Sequence, residues 1–259
     1  MIVRHTLLVP VALLAAMLIG CASPQQRSPS ESDPWEGWNR SVYSFNKSID
    51  SAVVKPVAET YRDIVPQFAR TGVSNFLSNL DDVLVIFNDL LQLKFEQTGQ
   101  DASRLLLNST IGIFGLFDVA TPLGLPKHNE DFGQTLGYWG VESGPYLVLP
   151  FLGPSSVRDT GGFVVDYTVD PVRDQLDSDE STAHTLTSIV DGRARLLQAE
   201  SVLEAAALGD EYSFVRDAWL ARREFLVNDG NSSQTQSDDG DDLDELDELD
   251  ELDELDALE

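Results

Sequence analysis

Residues 82–95 read DVLVIFNDLLQLKF, and the character of this stretch decides the fold. Its side chains are apolar nearly all round a helix, and Asn88 and Asp89 form the polar interruption in the middle. Residues 103–117 form a second segment of the same kind, beyond a polar break at residues 99–101. Neither segment has the roughly 20 residues that a membrane-spanning helix needs.

The length of these two segments leaves two interpretations open. A helix rises about 1.5 Å per residue, so about 10 residues cross one leaflet of a bilayer whose hydrocarbon core is about 30 Å thick. A helix–turn–helix sunk into one leaflet therefore fits, with its turn at residues 99–101. The alternative is a buried hairpin in the core of a soluble helical domain.

Helical patterns on both sides of these segments predict an all-α domain. Apolar residues recur at helical spacing or form a stripe along one face, as amphipathic helices require. The predicted helices are residues 39–53, a short segment between Pro56 and Pro66, residues 68–80, residues 181–208 as the longest, and residues 211–227 as the last.

Residues 121–160 have a different character, because glycine, proline and aromatic residues are dense there. Such a density does not support a regular helix or a central strand. The aromatic residues argue against disorder. The sequence therefore predicts a long structured loop.

The first residues of the chain predict a secretory signal over residues 1–20. Arg4 and His5 precede an apolar run at residues 7–19, and small residues stand at the cleavage point. The string Leu18-Ile19-Gly20-Cys21 looks like a bacterial lipoprotein signal, in which the cysteine is diacylated, freed and N-acylated. The alternative is an ordinary signal peptide beside a chance free thiol. Residues 21–33 then form the lipidated cysteine and a polar linker, ahead of a helical domain over residues 34–227.

The net charge of −27 lies mostly in the last part of the chain, since residues 228–259 hold 15 acidic residues and no Lys or Arg. Nucleic-acid binding is not expected without a basic face. Leucine recurs every three residues in the LDE repeats, so the leucines spiral round a helix and form no stripe. A solvated, disordered tail is predicted for residues 228–259, with a docking or divalent-cation role as the alternative.

Signatures of catalysis and of bound cofactors are missing from the sequence. The two histidines after the signal have no cysteine partner and no zinc-site spacing. The run Gly153-Pro154-Ser155-Ser156 is not a nucleophile elbow, and no phosphate-binding loop occurs. We therefore predict no enzyme activity, no cofactor and no metal site.

A set of short strings, taken in order behind the lipoprotein signal, carries a family resemblance. Together they resemble the MlaA (VacJ) family of outer-membrane lipoproteins over about residues 31–227. The strings are Asp33-Pro34-Trp35-Glu36-Gly37-Trp38-Asn39-Arg40, Tyr43-Ser44-Phe45-Asn46, Tyr61-Arg62-Asp63-Ile64-Val65-Pro66, Asn108-Ser109-Thr110-Ile111-Gly112, Asp131-Phe132-Gly133-Gln134-Thr135-Leu136-Gly137, Gly144-Pro145-Tyr146 and Arg158-Asp159.

The resemblance implies a function, a location and partners. Members of the family remove mislocalised phospholipid from the outer leaflet of the outer membrane and pass it to a soluble periplasmic lipid carrier, which maintains lipid asymmetry. The family fold is a helical ring in the inner leaflet with an amphipathic channel, associated with a trimeric porin. The expected location is the periplasmic face of the outer membrane of a Gram-negative bacterium, anchored through acylated Cys21.

Three groups of residues are candidates within such a channel, each with a plainer alternative. Residues 137–145, with Gly137, Gly140, Gly144 and Pro145, are predicted to form a gate; the alternative is a static turn. Phe45 and Asn46 are predicted to help close the channel, or else to serve as a core residue and a turn bridge. Arg193 and Arg195 are candidates for a lipid phosphate, or else lie on a solvated helix face.

The pair Arg158 and Asp159 is predicted to have a structural role, either locally or at helix ends. Two rival functions also remain open at this stage: a structural lipoprotein that scaffolds porins without moving lipid, and a phospholipid hydrolase.

Overall fold

The structure, a computed structural model, describes residues 32–197, 199–200, 207 and 209–230. The predicted signal, Cys21, the linker up to residue 31 and the acidic tail from residue 231 lie outside the described residues. The described chain is mostly helical, which confirms the predicted fold class. The helices are α1 Glu36–Ile49, α2 Lys55–Ile64, α3 Gln67–Leu91, α4 Phe95–Thr110, α5 Phe132–Tyr138, α6 Val157–Val169, α7 Ser178–Leu196 and α8 Glu211–Val227.

Helix α3 corrects two of the predictions. The segments at residues 68–80 and 82–95 are one continuous helix of 25 residues, which makes α3, and not the predicted helix at residues 181–208, the longest described helix. The turn between α3 and α4 lies at residues 92–94, whereas residues 99–101 lie inside α4.

The backbone after α3 explains where that turn falls. Leu93 adopts a left-handed φ of 59°, its N–H donates to the carbonyl of Leu90 over 3.1 Å, and the N–H of Lys94 donates to the carbonyl of Asp89 over 2.9 Å. This is the Schellman arrangement that ends many helices, usually at a glycine. Leucine stands at the left-handed position here, so the usual glycine signal is missing from the sequence.

The predicted loop at residues 121–160 is also wrong in part. It contains α5 and an antiparallel pair of strands, β1 Tyr146–Leu149 and β2 Gly153–Ser156, and α6 begins directly after β2. Both strands are short, and Pro154 is compatible with its place in β2 because β2 is an edge strand of a two-stranded ribbon. Side-chain caps at Asp131 and Ser156 start α5 and α6.

Contacts between the elements close a circuit. The order around it is α1, β1, β2, α8, α5, α3, α7 and α2, and a short π-helical turn, Asp50–Val54, joins α2 back to α1. Helix α4 packs on α3, and α6 packs on α5 and β2. Each element of the circuit therefore touches a neighbour on both sides, as a helical ring requires.

Burial in this fold is inverted relative to a water-soluble protein. Fully or nearly fully buried positions include Asn39, Asn88, Asp89, Asp101 and Gln134, whereas large apolar side chains on several elements are exposed. Soluble proteins bury their large apolar residues and pair or expose their polar ones. The most exposed of the large apolar side chains are Phe68, Phe114, Phe151 and Ile64, at 81%, 74%, 74% and 73%.

The buried apolar core is small and lies beside the paired strands β1 and β2. Val42 of α1, Tyr146 and Val148 of β1 and Tyr212 of α8 pack together there. No helix in the described part of the chain is long and apolar enough to cross a bilayer.

Candidate functional site

Helix α3 separates a polar face from an apolar one. Asn79, Asp82 and Asp89 recur at helical spacing and are buried, while Phe87 and Leu90 are exposed. Helix α4 also buries a polar face, with Asp101, Arg104 and Asn108, and the last two donate to Asp118 in the segment that follows α4. The α3–α4 hairpin therefore buries polar side chains and exposes apolar ones.

A chain of hydrogen bonds joins the polar face of α3 to α5 and to the segment before it. The Oγ1 of Thr135 donates to the Oδ1 of Asn88 over 2.8 Å and accepts from the Nε2 of Gln92 over 3.1 Å. Gln92 also donates to Glu130 over 2.9 Å, and Lys94 donates to the other oxygen of Glu130 over 3.0 Å. Buried polar groups are tolerated when they are satisfied in this way.

Asp89 is a buried carboxyl near the end of α3. Burial, and then the nearby carboxylates of Asp101 and Glu130, raise its pKa to about 7, although Lys94 acts in the opposite direction. Asp101 in turn contacts the ring Nδ1 of His128 over 2.7 Å.

A cavity of about 250 Å³ opens between α3, α5, α6 and α8. Its wall mixes acids, guanidinium groups and a few aliphatic side chains, so it offers both charges to a bound molecule. The lining residues are Asp81, Leu84, Val85, Asn129, Glu130, Asp131, Gln134, Asp166, Arg222, Arg223 and Leu226.

The guanidinium of Arg223 organises one wall of the cavity. It donates two bonds to the carboxylate of Asp131, over 2.6 and 3.0 Å, and one to Asp159 over 2.7 Å. Burial raises the pKa of Asp131, but the hydrogen bonds and positive charge of Arg223, together with the hydrogen bonds from Gln134, outweigh burial and leave that pKa below its usual value. The carboxylate of Asp131 also caps α5 through the N–H of Gln134, so one acid joins a helix end to a neighbouring helix.

The predicted pair Arg158 and Asp159 lies in this same network. The Nε of Arg158 donates to the Oδ1 of Asp159 over 3.1 Å, and the Oγ of Ser156 donates to its Oδ2 over 2.8 Å. Arg158 also donates to the carbonyl of Val141 over 3.4 Å. The pair therefore connects the start of α6 to α8 and to the glycine-containing segment, which is compatible with the structural role predicted for it.

The candidate gate residues divide between two environments. Gly137 lies in α5, where a Cβ would come within 2.7 Å of a methyl group of Val227, so its place is a close helix contact. Gly140 and Gly144 have φ values of 86° and 67°, a region that favours glycine. The carbonyl of Pro145 accepts from the N–H of Val157 over 3.2 Å. Residues 139–145 thus form an irregular segment with a glycine near each end, held at α6.

Phe45 and Asn46 contact the turn between β1 and β2. The Nδ2 of Asn46 donates to the carbonyl of Leu149 over 2.9 Å, and its Oδ1 accepts from the N–H of Phe151 over 2.8 Å. The rings of Phe45 and Phe151 meet edge to face, 5.4 Å apart. Phe45 is 44% exposed, so it is no core residue, and a channel-closing role for the pair remains a prediction.

Arg193 and Arg195 differ in how freely their guanidinium groups meet solvent. Arg193 donates two bonds to Asp50, over 2.8 and 3.0 Å, and one to Glu200 over 3.2 Å. Arg195 is largely exposed and contacts Asp191 over 3.3 Å. A lipid phosphate would have to displace two carboxylates from Arg193, so Arg195 is the more accessible of the two candidates.

The sequence did not predict the cavity or two of the residues that shape it. Asp131 occurs in a quoted string but received no role, and Arg223 lies on a predicted helix and also received none. The available signal was an arginine at an interior position of an amphipathic helix, since a buried arginine needs an acid partner.

A profile of the MlaA lipoprotein family matches residues 31–226. The chain belongs to the MlaA lipoprotein family. The MlaA of Escherichia coli (strain K12), named an intermembrane phospholipid transport system lipoprotein, is 39% identical over 225 residues, which cover 85% of this chain and 88% of that protein.

Two further comparisons extend the MlaA relationship. The MlaA of Haemophilus influenzae is 29% identical over 238 residues, covering 88% of this chain and 94% of that protein. A solved structure described as "Structural basis for maintenance of bacterial outer membrane lipid asymmetry" superposes with a TM-score of 0.68 and 36% identity, covering 76% of this chain and 100% of that chain. The shared fold thus covers most of the described MlaA-like domain.

Proposed function

We propose that this protein carries phospholipid from the outer leaflet of the outer membrane to the periplasm, and so maintains lipid asymmetry. The observation that carries the proposal is the inverted burial: polar groups are buried between the elements of a closed helical circuit, while many large apolar side chains are exposed. Membership of the MlaA lipoprotein family supports the same function.

The exterior favours a position inside one leaflet. Exposed Phe87 and Leu90 on α3, Leu106 on α4 and Phe114 beyond α4 would each face water in a soluble protein, at about 25 cal/mol for every Å² of apolar surface. Lipid tails remove that penalty, and helices satisfy their own backbone groups there. The exposure of these side chains disfavours the alternative in which the α3–α4 hairpin is a soluble core.

A polar interior addresses the main energetic barrier to moving a phospholipid. A headgroup cannot cross hydrocarbon cheaply, because burying an unpaired charge costs several kcal/mol. Charged side chains that line the cavity, such as Asp81, Asp166 and Arg222, would let a headgroup exchange water for protein partners. The acyl chains meanwhile remain near the apolar surroundings.

Anchoring, partners and direction complete the proposal. Acylated Cys21 would hold the protein at the periplasmic face of the outer membrane, next to a trimeric porin, and a soluble carrier would remove the lipid. The sequence contains no nucleotide-binding loop, so the flow through this chain is passive and the partners set its direction. Residues 139–145 would act as the gate.

Two measurements test the function and separate it from its rivals. Cells lacking the gene should accumulate phospholipid in the outer leaflet, and the purified acylated protein should pass labelled phospholipid from vesicles to a soluble acceptor. Porin binding without transfer would favour a structural scaffold. Release of lysophospholipid would favour a hydrolase.

A further inference from the structure

Two charged side chains at the cavity lie on opposite elements. Asp81 lies on α3 and Arg222 on α8, both line the cavity, and neither side chain makes a hydrogen bond or an ion pair with another described residue. Both side chains are exposed, so a ligand that enters the cavity can reach them. The pair therefore presents one negative and one positive charge to the same space.

The other acids of the wall are already engaged by the protein. Glu130 accepts from Gln92 and Lys94. Asp166 accepts from the Nδ2 of Asn88 over 3.1 Å and from the N–H of Phe132 over 2.8 Å. These acids are therefore fixed parts of the wall, and they add negative potential around any ligand.

Two buried polar atoms of cavity-lining residues lack a partner within the described chain. They are the Oε1 of Gln134, whose residue is 2% exposed, and the Nε of Arg223. One is an acceptor and the other a donor, and a buried polar atom without a hydrogen-bond partner is unfavourable. A ligand with both a donor group and an acceptor group would satisfy them.

We propose that this cavity binds a zwitterionic amine–phosphate group, and that its natural ligand is the headgroup of a phospholipid bearing a primary amine. The ammonium lies at Asp81 and the Oε1 of Gln134, and the phosphate lies at Arg222. This assignment rests on the proposed transport function and gives it a headgroup preference.

The chemistry of each group supports this placement. An ammonium has three donors and no acceptor, which suits a carboxylate and an amide oxygen, and a guanidinium is a strong partner for phosphate. The cavity lining holds four acids and two arginines, so a headgroup with a phosphate and no amine would meet a wall with a negative net charge. Leu84, Val85 and Leu226 give the same cavity an apolar border for the glycerol and the first methylenes of the chains.

The test is a competition between two lipids in one reaction. Donor vesicles contain equal amounts of phosphatidylethanolamine and phosphatidylglycerol with different labels, and the acylated full-length protein passes them to a soluble acceptor. We expect the amine lipid to move about tenfold faster, which corresponds to roughly 1.4 kcal/mol. Equal rates for both lipids would overturn the preference and leave the transport function standing.

Substitutions at Asp81 and Arg222 test whether the preference for the amine lipid arises at this cavity. Asp81→Asn and Arg222→Gln should each lower transfer of the amine lipid about tenfold, and Arg222→Lys should lower it less. Glu224→Gln is the matched control, because it removes an exposed charge from α8 outside the cavity lining. An amine preference unchanged in Asp81→Asn and Arg222→Gln would assign it to another site.

If the wild-type protein moves neither lipid, that result overturns the proposed transport function alone. A binding measurement then tests the headgroup site by itself. The detergent-solubilised protein is titrated with phosphoethanolamine, glycerol phosphate and a soluble short-chain phosphatidylethanolamine. We expect binding in the order short-chain lipid, phosphoethanolamine, glycerol phosphate, weakened by both substitutions. Equal binding of the first two would identify the free compound as the ligand, and binding insensitive to both variants would overturn the site.

Discussion

Asn39 and Asn46 lie seven positions apart on α1, and the side-chain amide of each makes two hydrogen bonds to the backbone of the β1–β2 hairpin. Asn39 donates to the carbonyl of Tyr146 over 3.0 Å and accepts from the N–H of Val148 over 2.8 Å. Asn46 makes the same pair of bonds three residues further along. Two helical turns rise about 10 Å and three strand residues span about 10 Å, so the spacings match. Helix α1 thus supplies, through two asparagine side chains, hydrogen bonds that a third strand would otherwise make to β1 and the turn after it.

The first prediction concerns the two hydrogen bonds of Asn46. Asn46→Ala removes both bonds to the turn and should destabilise the domain by about 1–2 kcal/mol, because Asn46 is only partly buried. The amide of Phe151 should exchange with solvent faster, as measured by hydrogen exchange in detergent. Ser48→Ala, which removes a bond local to α1, is the control and should leave that amide unchanged.

The second prediction compares neighbouring arginines on α8. Arg223→Met strands the carboxylates of Asp131 and Asp159 and should lower the free energy of unfolding by about 3–5 kcal/mol. Arg222→Met removes a side chain without an ion pair and should change it by less than about 0.5 kcal/mol. Thermal unfolding in detergent measures both. Equal losses in the two variants would contradict the network described for Arg223.

The third prediction tests the gate with an engineered disulfide. A Cβ built at Gly144 lies 3.3 Å from the Cβ of Val157, near the range of about 3.5–4.5 Å found in disulfides. The double variant Gly144→Cys, Val157→Cys should therefore oxidise readily, with about 1–2 kcal/mol of strain from the left-handed backbone at residue 144. Lipid transfer should stop in the oxidised protein and return on reduction.

The control for the lock is each single cysteine variant under oxidising conditions. Both single variants should keep transferring lipid, since no second thiol is available near the segment. Undiminished transfer by the oxidised double variant would assign residues 139–145 to a static turn.

The fourth prediction follows from the raised pKa of Asp89, which is about 7 in the folded protein. Between about pH 4 and 7 the folded protein holds a proton that the unfolded chain has released, so stability falls as the pH rises through this window and levels above it. Asp89→Asn mimics the protonated form. It should match the wild type near pH 4.5 and exceed it at pH 8 by on the order of 3 kcal/mol.

The measurement is thermal unfolding in detergent at several pH values. Glu224→Gln is the control, because this exposed acid should leave the pH dependence unchanged. A wild type and an Asp89→Asn variant with parallel pH profiles would show that Asp89 is ionised in the folded state.

The fifth prediction tests the leaflet position through Phe114, which is 74% exposed and has a φ of 56°. Aspartate tolerates this backbone conformation better than phenylalanine does, so Phe114→Asp should fold normally in detergent. Placing a charge in hydrocarbon should nevertheless weaken vesicle binding of the non-acylated Cys21→Ala protein by about tenfold. Phe114→Leu is the control, and vesicle flotation is the measurement.

Much of the helical content could be predicted from the sequence, because apolar periodicity reports which residues share a face. Helix α8 was predicted at residues 211–227 and is found at those residues, since it is uninterrupted and capped by Asp210. The end of α3 was misplaced because a leucine, not a glycine, occupies its left-handed terminus. The hairpin was missed because Asn39 and Asn46, which are distant in sequence, supply its missing partners.

The sequence by itself determined the family, the helical class and the two short apolar segments, since each depends on local patterns or ordered strings. Only the tertiary structure decided that the polar face of α3 is the buried one, because periodicity reports that a helix has two faces and not which solvent each meets. The cavity between Asp81 and Arg222 likewise depends on how α3 and α8 approach each other. Residues 141 positions apart in the chain carry no local signal of that approach.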